Sequence, residues 1–410
     1  MSARCGMARM LAGLLAASHL SSLEEVPPLV AAHAAEAGLT DVLIYLADLR
    51  QETLRLLTGH GISGGEDTGG HAAELRIDAT LAGRGFQETR ILSFSAPEGK
   101  MKHWWVPLLD GTERLGMLRV GVHDTDEADT ADMRALASLV ALVLVSKRAH
   151  SDSYARLTRT RPMHVAAEMQ WTLTPPLTVA DSKVVISAAM EPAYEVGGDA
   201  FDYAMAGDVA HLGIFDAEGH DVSAGLAATL AMAACRSNRR RGVDLATNTE
   251  KIEEVLIAEF GRSTRYVTAN LADLDTSTGM LAWVNRGHQP PVLIRGGRWV
   301  TMLDCPPAHP MGLGLGLPVT LCREQLQPGD RVLLYTDGIT EARNAHGREF
   351  GLARFADFII RHTADGLPVP ETLRRLIRSV LNHHDGRLQD DATVLLLEWN
   401  GSAQDRLTLE

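Results

Sequence analysis

The sequence predicts an α+β chain of two domains joined by a helical connector. Three observations carry this. The chain has 410 residues, more than one ordinary core accommodates. Its second half is a series of short β-rich runs broken by a few helical stretches. Its first half holds two apolar strands joined through Asp110-Gly111 and followed by an apolar helix.

Composition narrows the function classes. Hydrophobic residues at 45% and charged residues at 22% describe a globular chain. The formal net charge of −13 argues against a nucleic-acid binder, which needs clustered Lys and Arg. Cys5, Cys235, Cys305 and Cys322 show no paired spacing, so neither a disulfide framework nor a zinc site is expected, and a reducing cytoplasm fits. The apolar run Arg9 to Leu20 is broken by His19 and lacks a small-residue cleavage site, so it reads as a helix. No later run reaches the ~18 apolar residues of a membrane span.

In the first domain, residues 1–148, Pro28 to Ala37 is an Ala-rich helix with Pro in its first turn and Gly38 just past its end. Asp41 to Asp48 is a strand, and His103 to Val122 is the hairpin. Met133, Leu136, Val140, Val143 and Leu144 recur at helical spacing. This order of hairpin and apolar helix resembles the GAF family of sensor domains, which implies an α/β sensor with a ligand the residues do not name. Trp104 and Trp105 are candidates to line a pocket, with strand packing the plainer reading.

Residues 149–180 read as a helical linker. Met163, Ala166, Met169 and Leu173 lie at helical spacing, and Pro175-Pro176 ends the run. Such a helix is a candidate for homodimerisation; packing on its own domain is the alternative.

The second domain, residues 181–400, places acids at strand ends. Asp199 follows Gly197-Gly198. Asp216 ends one apolar run and Asp337 another. Asp390 and Asp391 precede a third. A single Asp-Gly at a strand end is ordinarily a turn. Four such places in one domain change the balance, because gathered carboxylates repel unless a cation sits between them. Hard divalent ions suit such oxygen donors, and the lack of His or Cys there argues against zinc.

At these residues the chain resembles a known family. "EVGGDAFDY", "FDAEGHDVSAGLAATL", "NRGHQPP", "LLYTDGITEARNAHGREFG" and "DDATVLLL" occur in the order of the bacterial PPM-type serine/threonine phosphatases, in the stage II sporulation protein E branch. The resemblance implies a β-sandwich flanked by helices and two Mn²⁺ or Mg²⁺ ions at one edge. It implies that Asp216 bridges the ions with help from the Ala217 carbonyl, that Asp337 and Asp390 bind one ion, and that Asp199 holds the metal-bound waters. Asp391 is the alternative to Asp390. Gly197, Gly198 and His288 are candidates for substrate binding. Glu218 or His220 is a candidate to protonate the leaving group, with a solvent-facing loop as the plainer reading. The implied substrate is a phosphoserine or phosphothreonine on a regulatory protein of the anti-sigma-factor antagonist type. Rival readings are a phosphatase of small phosphorylated metabolites and a sensor-scaffold without turnover. The basic run Arg236 to Arg241 ends a helix, where cations suit the dipole, and is a candidate dock for an acidic phosphoprotein. "MGLGLGL" lacks a strand-to-helix context and reads as a loop.

Overall fold

The computed structural model describes residues 2–59, 70–95, 101–123, 130–195, 197–219, 221–262, 265–364, 367–384, 388 and 390–401. They divide into two compact units, the second starting at Met163.

Unit one runs α1 Ser2–Ser18, α2 Val26–Ala35, β1 Thr40–Ala47, β2 Thr53–Leu56, β3 Glu74–Arg76, α3 Leu81–Glu88, β4 Leu92–Ser95, β5 Met101–Asp110, β6 Glu113–His123, α4 Thr130–Arg148 and α5 Asp152–Thr158. Its sheet has the order β3-β2-β1-β6-β5-β4. The expected hairpin is β5–β6, closed where Asp110 pairs with Glu113 across a Gly111 with φ of 57°. Alternation along β5 divides the side chains between two faces. Val106 and Leu108 pack with Met10, Leu14, Val30, Met133 and Val140 of α1, α2 and α4. Trp105 points the other way, edge-on to Tyr45 at 5.5 Å and in one cluster with Phe86 of α3. Trp105 is thus core, and the run from Arg9 is helical as far as Ser18, with Met10 and Leu14 packed and Leu20 exposed beyond the helix.

Unit two runs α6 Val165–Leu173, β7 Thr178–Ala180, β8 Val184–Glu191, β9 Asp199–Ala206, β10 Val209–Ala217, α7 Val222–Arg240, α8 Leu245–Phe260, β11 Val267–Asp275, β12 Met280–Arg286, β13 Val292–Arg295, β14 Trp299–Met302, β15 Cys322–Gln325, β16 Arg331–Tyr335, α9 Asp337–Thr340, α10 Leu352–Ala364, α11 Val369–His383 and β17 Ala392–Trp399. Two antiparallel sheets form, ordered β15-β12-β11-β10-β9 and β14-β13-β16-β17-β8-β7. Alternate residues Phe201, Leu212, Ile214, Val332, Leu334, Leu395 and Leu397 fill the space between them. The intervening residues face outward. Phe215 and Leu271 meet Ala224, Ala228, Ala231 and Ile252 of α7 and α8. Leu333, Val394 and Leu396 meet Phe355, Ile359, Leu376 and Val380 of α10 and α11.

Several expectations need correcting. The residues 149–180 contain α5, which packs in unit one through Tyr154 and Leu157, and α6, whose Ala166, Ala167 and Gln170 are buried in unit two. Of the face that suggested dimerisation, Ala166 is buried, Met163 and Leu173 pack partly on unit two, and Met169 is half-buried. Cys305 and Cys322 form a disulfide, against the expectation of none. Their separation of 17 residues carries no motif; the loop between them folds back so that Met311 bridges Val267 and Ala308 bridges Arg286. Cys235 is free and buried. Residues 303–321, including "MGLGLGL", contain no helix or named strand, as expected of a loop.

Candidate active site

The acids meet at one edge of the sandwich because strand register brings them there. Asp199 opens β9 and pairs directly with Asp216 near the end of β10. Both continue the inward parity of Phe201, Leu212 and Ile214. Two like charges directly opposed on neighbouring strands are destabilising on their own. Asp337 starts α9, just past the end of β16, and Asp390 and Asp391 precede β17, the neighbour of β16 in the opposite sheet.

Their environment differs residue by residue. Asp199 is buried, and its Oδ2 accepts from Thr336 Oγ1 at 2.7 Å. Thr336 Oγ1 in turn accepts from the Thr393 amide at 2.9 Å, which ties both sheets to this carboxylate. Burial, then Asp216 and Asp391, raise the Asp199 carboxyl well above its ordinary range. Asp216 is pushed up to about 7 by burial and then by Asp337, Asp390 and Asp391. Asp337 is raised by burial and then by Asp390 and Glu341.

The structure separates Asp390 from Asp391. Asp391 is buried, and one oxygen, Oδ2, accepts from the amides of Gly197 at 2.7 Å, Gly198 at 2.6 Å and Asp199 at 3.2 Å. Asp391 thus clamps the Gly-Gly-Asp turn. Asp390 is exposed and, with Asp337, Gly338 and Glu341, lines a cleft of about 170 Å³.

The glycines are explained by backbone, not by ligand. A Cβ on Gly198 would lie 2.5 Å from the Gly219 carbonyl and 2.7 Å from that of Ala217, and Ala217 N donates to Gly198 O at 3.0 Å. A Cβ on Gly338 would lie 1.9 Å from the Asp391 carbonyl. Both glycines let acid-bearing segments approach one another. Gly197 and Gly198 spend their amides on Asp391, so direct substrate binding through those amides is not what the geometry shows.

His288 is also structural. It is buried, its Nε2 donates to the Tyr335 carbonyl at 3.0 Å, and its Nδ1 accepts from Thr268 Oγ1 at 2.7 Å. Thr268 is the register partner of Asp216, and Tyr335 precedes Thr336 and Asp337. The imidazole bridges the two sheets beneath the acids. Burial lowers its pKa to about 4. Both nitrogens are used, which contradicts its candidacy for substrate binding.

Neighbouring expectations resolve similarly. Asp221 caps α7 through the Ala224 amide at 2.7 Å and pairs with Arg265 at 3.0 Å. Glu218 is exposed, and His220 lies outside the described residues. Asp202 is buried and pairs with Arg236 at 2.6 Å and Arg239 at 2.8 Å, fastening β9 to α7. Two arginines of the basic run are thereby committed, which weakens the docking reading. Sequence reasoning missed Thr336 and Thr393. Their only signal is that they share the inward parity of β16 and β17.

The donor set fits a hard divalent cation. The carboxylates of Asp216, Asp337 and Asp390 repel one another, and no cation among the described residues offsets the burial and negative charge that raise Asp216 and Asp337. Positive charge is what would return such groups to their ordinary range. Among the described residues, no three acid, histidine or cysteine side chains stand close enough to share one ion.

A five-stranded sheet on a six-stranded one, with helices outside and aspartates at one edge, defines a PPM-type phosphatase domain. Residues 206–400, within unit two, match the model of the stage II sporulation protein E family. The chain is 24% identical over 245 residues to protein IcfG of Synechocystis, covering 52% of this chain and 38% of that protein. It is 23% identical over 243 residues to the phosphoserine phosphatase RsbU of Bacillus subtilis, covering 57% and 69%. The chain therefore spans well under two thirds of the first relative's length. A solved structure of RsbU and RsbW domains from Mycobacterium tuberculosis aligns at 25% identity with a TM-score of 0.48, covering 54% of this chain and 62% of that one. No described helix is long and apolar enough to cross a membrane.

Proposed function

We propose that this chain is a cytoplasmic, metal-dependent phosphatase acting on phosphoserine or phosphothreonine of a regulatory protein of the anti-sigma-factor antagonist type. The GAF-like unit one regulates it. The observation that carries the reading is the meeting of Asp199, Asp216, Asp337 and Asp390 at one sandwich edge, with the Asp216 carboxyl pushed up to about 7. The resemblance of unit two to an RsbU-type phosphoserine phosphatase supports the substrate class.

Asp216, Asp337, Asp390 and the Ala217 carbonyl would hold two Mn²⁺ or Mg²⁺ ions. When bound, such ions activate water and neutralise phosphoryl oxygens. Asp199, held by Thr336, would accept hydrogen bonds from water at that edge. Asp391 fixes the turn that carries Asp199, and His288 fixes Thr268 beside Asp216. Among the described cysteines none is placed for covalent catalysis: Cys305 and Cys322 are joined in a disulfide, and Cys235 is buried in α7 with its thiol pushed up to about 12 by burial.

The test is hydrolysis by the purified chain with Mn²⁺, on an aryl phosphate, a phosphoserine protein and a set of phosphorylated metabolites. The expected order favours the phosphoprotein, and Asp216→Asn lowers turnover by roughly 10²–10³-fold or more. Preference for a metabolite moves the substrate class. Absence of turnover with all three, together with an inert Asp216→Asn, favours the sensor-scaffold reading.

A further inference from the structure

The loop that leaves Asp216 runs through Ala217 and Glu218 to Asp221, the cap of α7. It carries the Ala217 carbonyl, yet Glu218, Gly219 and Asp221 are all exposed. None of those three brings an apolar side chain to fix the loop, so polar contacts must hold it.

One side chain spans it. Arg265, just before β11, donates from one guanidinium nitrogen to the Glu218 carbonyl at 3.1 Å and from another to Asp221 Oδ2 at 3.0 Å. The next residue completes the hold, because the Tyr266 carbonyl accepts from the Glu218 amide at 3.2 Å. Both backbone groups of Glu218 are thus spent on Arg265 and Tyr266.

The Arg265 backbone is anchored in turn. Val267 and Met311 exchange two amide–carbonyl bonds at 2.9 Å. Gly312 approaches so closely that a Cβ there would strike the Arg265 carbonyl. Glu253 pins the segment that carries Met311 and Gly312 at both ends: it accepts from the Gly314 amide at 2.8 Å and pairs with His309 at 3.0 Å. Arg286, fully buried, holds Glu253 at 2.6 Å. This gives a place to the arginine of "NRGHQPP", which the acid edge itself does not use. A continuous set of bonds runs from a buried ion pair to the loop after Asp216.

We propose that Arg265 is a positioning residue of the acid site, stapling the loop after Asp216 and so setting the place of the Ala217 carbonyl toward a divalent ion. The proposal rests on the phosphatase reading of that edge. Charge alone does not explain the residue, because a guanidinium beside a cation site repels the cation. Nor does stability, since an exposed ion pair contributes little. Its geometry does: one planar fork reaches two anchors on either side of Gly219.

The test is Mn²⁺ binding to the metal-stripped full chain, followed by electron paramagnetic resonance, for wild type, Asp216→Asn, Arg265→Ala and Arg265→Lys. Arg265→Ala is expected to weaken Mn²⁺ about tenfold or more, the scale seen when a group that orients a metal ligand is removed. Its melting temperature in chelator is expected to stay within about 3 °C of wild type. Arg265→Lys keeps the charge but loses the fork, and is expected to weaken Mn²⁺ several-fold. The Mn²⁺ midpoint for aryl phosphate turnover should rise in step. Unchanged or tighter Mn²⁺ binding in Arg265→Ala, or wild-type binding in Arg265→Lys, overturns the proposal. The phosphatase reading then still stands if Asp216→Asn loses its ions. Failure of the wild type to bind Mn²⁺ overturns both.

Discussion

At the scale of the residue, the two adjacent aspartates before β17 divide the labour. Asp390 is exposed at the cleft, whereas Asp391 spends one oxygen on three amides. Asp390→Asn is therefore expected to abolish turnover with the melting temperature nearly unchanged. Asp391→Ala is expected to cost about 3 kcal/mol or more, because charged buried hydrogen bonds are worth roughly 1.5–3 kcal/mol each. Chemical denaturation paired with an activity assay separates the two, and the reverse pattern exchanges the roles. His288 offers a pH test. Its folded pKa near 4 lies below the ordinary 6.5, so the unfolded chain takes the proton first. Its contribution to stability is complete above about pH 6.5 and is lost as the pH falls toward 4. In NMR its ring resonances, assigned by difference with His288→Gln, should hold still from pH 8 to 5; a midpoint near 6.5 contradicts the buried bridge. The acids were legible because their motifs occur in order. The choice between Asp390 and Asp391 was not, since it rests on which one reaches Gly197 and Gly198 nearly two hundred residues away. The bond between Thr336 and Asp199 crosses from one sheet to the other and leaves no local pattern either.

At the scale of the element, the site depends on close backbone approach. α9 begins against the Asp391 carbonyl, and a Cβ on Gly338 would stand 1.9 Å from it. Overpacking of this kind costs typically 1–3 kcal/mol. Gly338→Ala is thus expected to lower the melting temperature by several degrees and to displace Asp337, with turnover falling alongside. A thermal melt and an aryl phosphatase assay check it; wild-type behaviour in both would show that α9 does not need the approach. The long helices α4, α7, α10 and α11 and the apolar strands β8, β10, β11 and β17 follow from periodicity alone, and the Asp110-Gly111 turn marks the β5–β6 hairpin. Short strands escaped. β9 was hidden because its inward positions include Asp199, and β7, β14 and β15 are edge or near-edge pieces of three or four residues. Their pairing, not their composition, makes them strands.

At the scale of the whole molecule, two units with separate cores divide sensing from chemistry in the proposed account. The acid edge is a place where unit two trades stability for function. Asp199 faces Asp216 in register, and Asp216 raises the proton affinity of Asp199. The disulfide between Cys305 and Cys322 belongs to this scale too. Chain tracing through a long loop brings the two together, which no spacing rule anticipates. If the acids form a cation site, a bound divalent ion stabilises the folded chain by mass action, about 2.7 kcal/mol at a hundredfold excess over Kd. For a domain of this size that corresponds to roughly 5–10 °C in melting temperature.

Manganese binding to the metal-stripped chain tests the central claim most directly, with free Mn²⁺ followed by electron paramagnetic resonance. The account predicts about two bound ions per chain, loss of at least one in Asp216→Asn, and a higher melting temperature for that variant than for the wild type in chelator, because it removes one of the opposed charges. Equal Mn²⁺ binding by wild type and Asp216→Asn, or none by either, would contradict it.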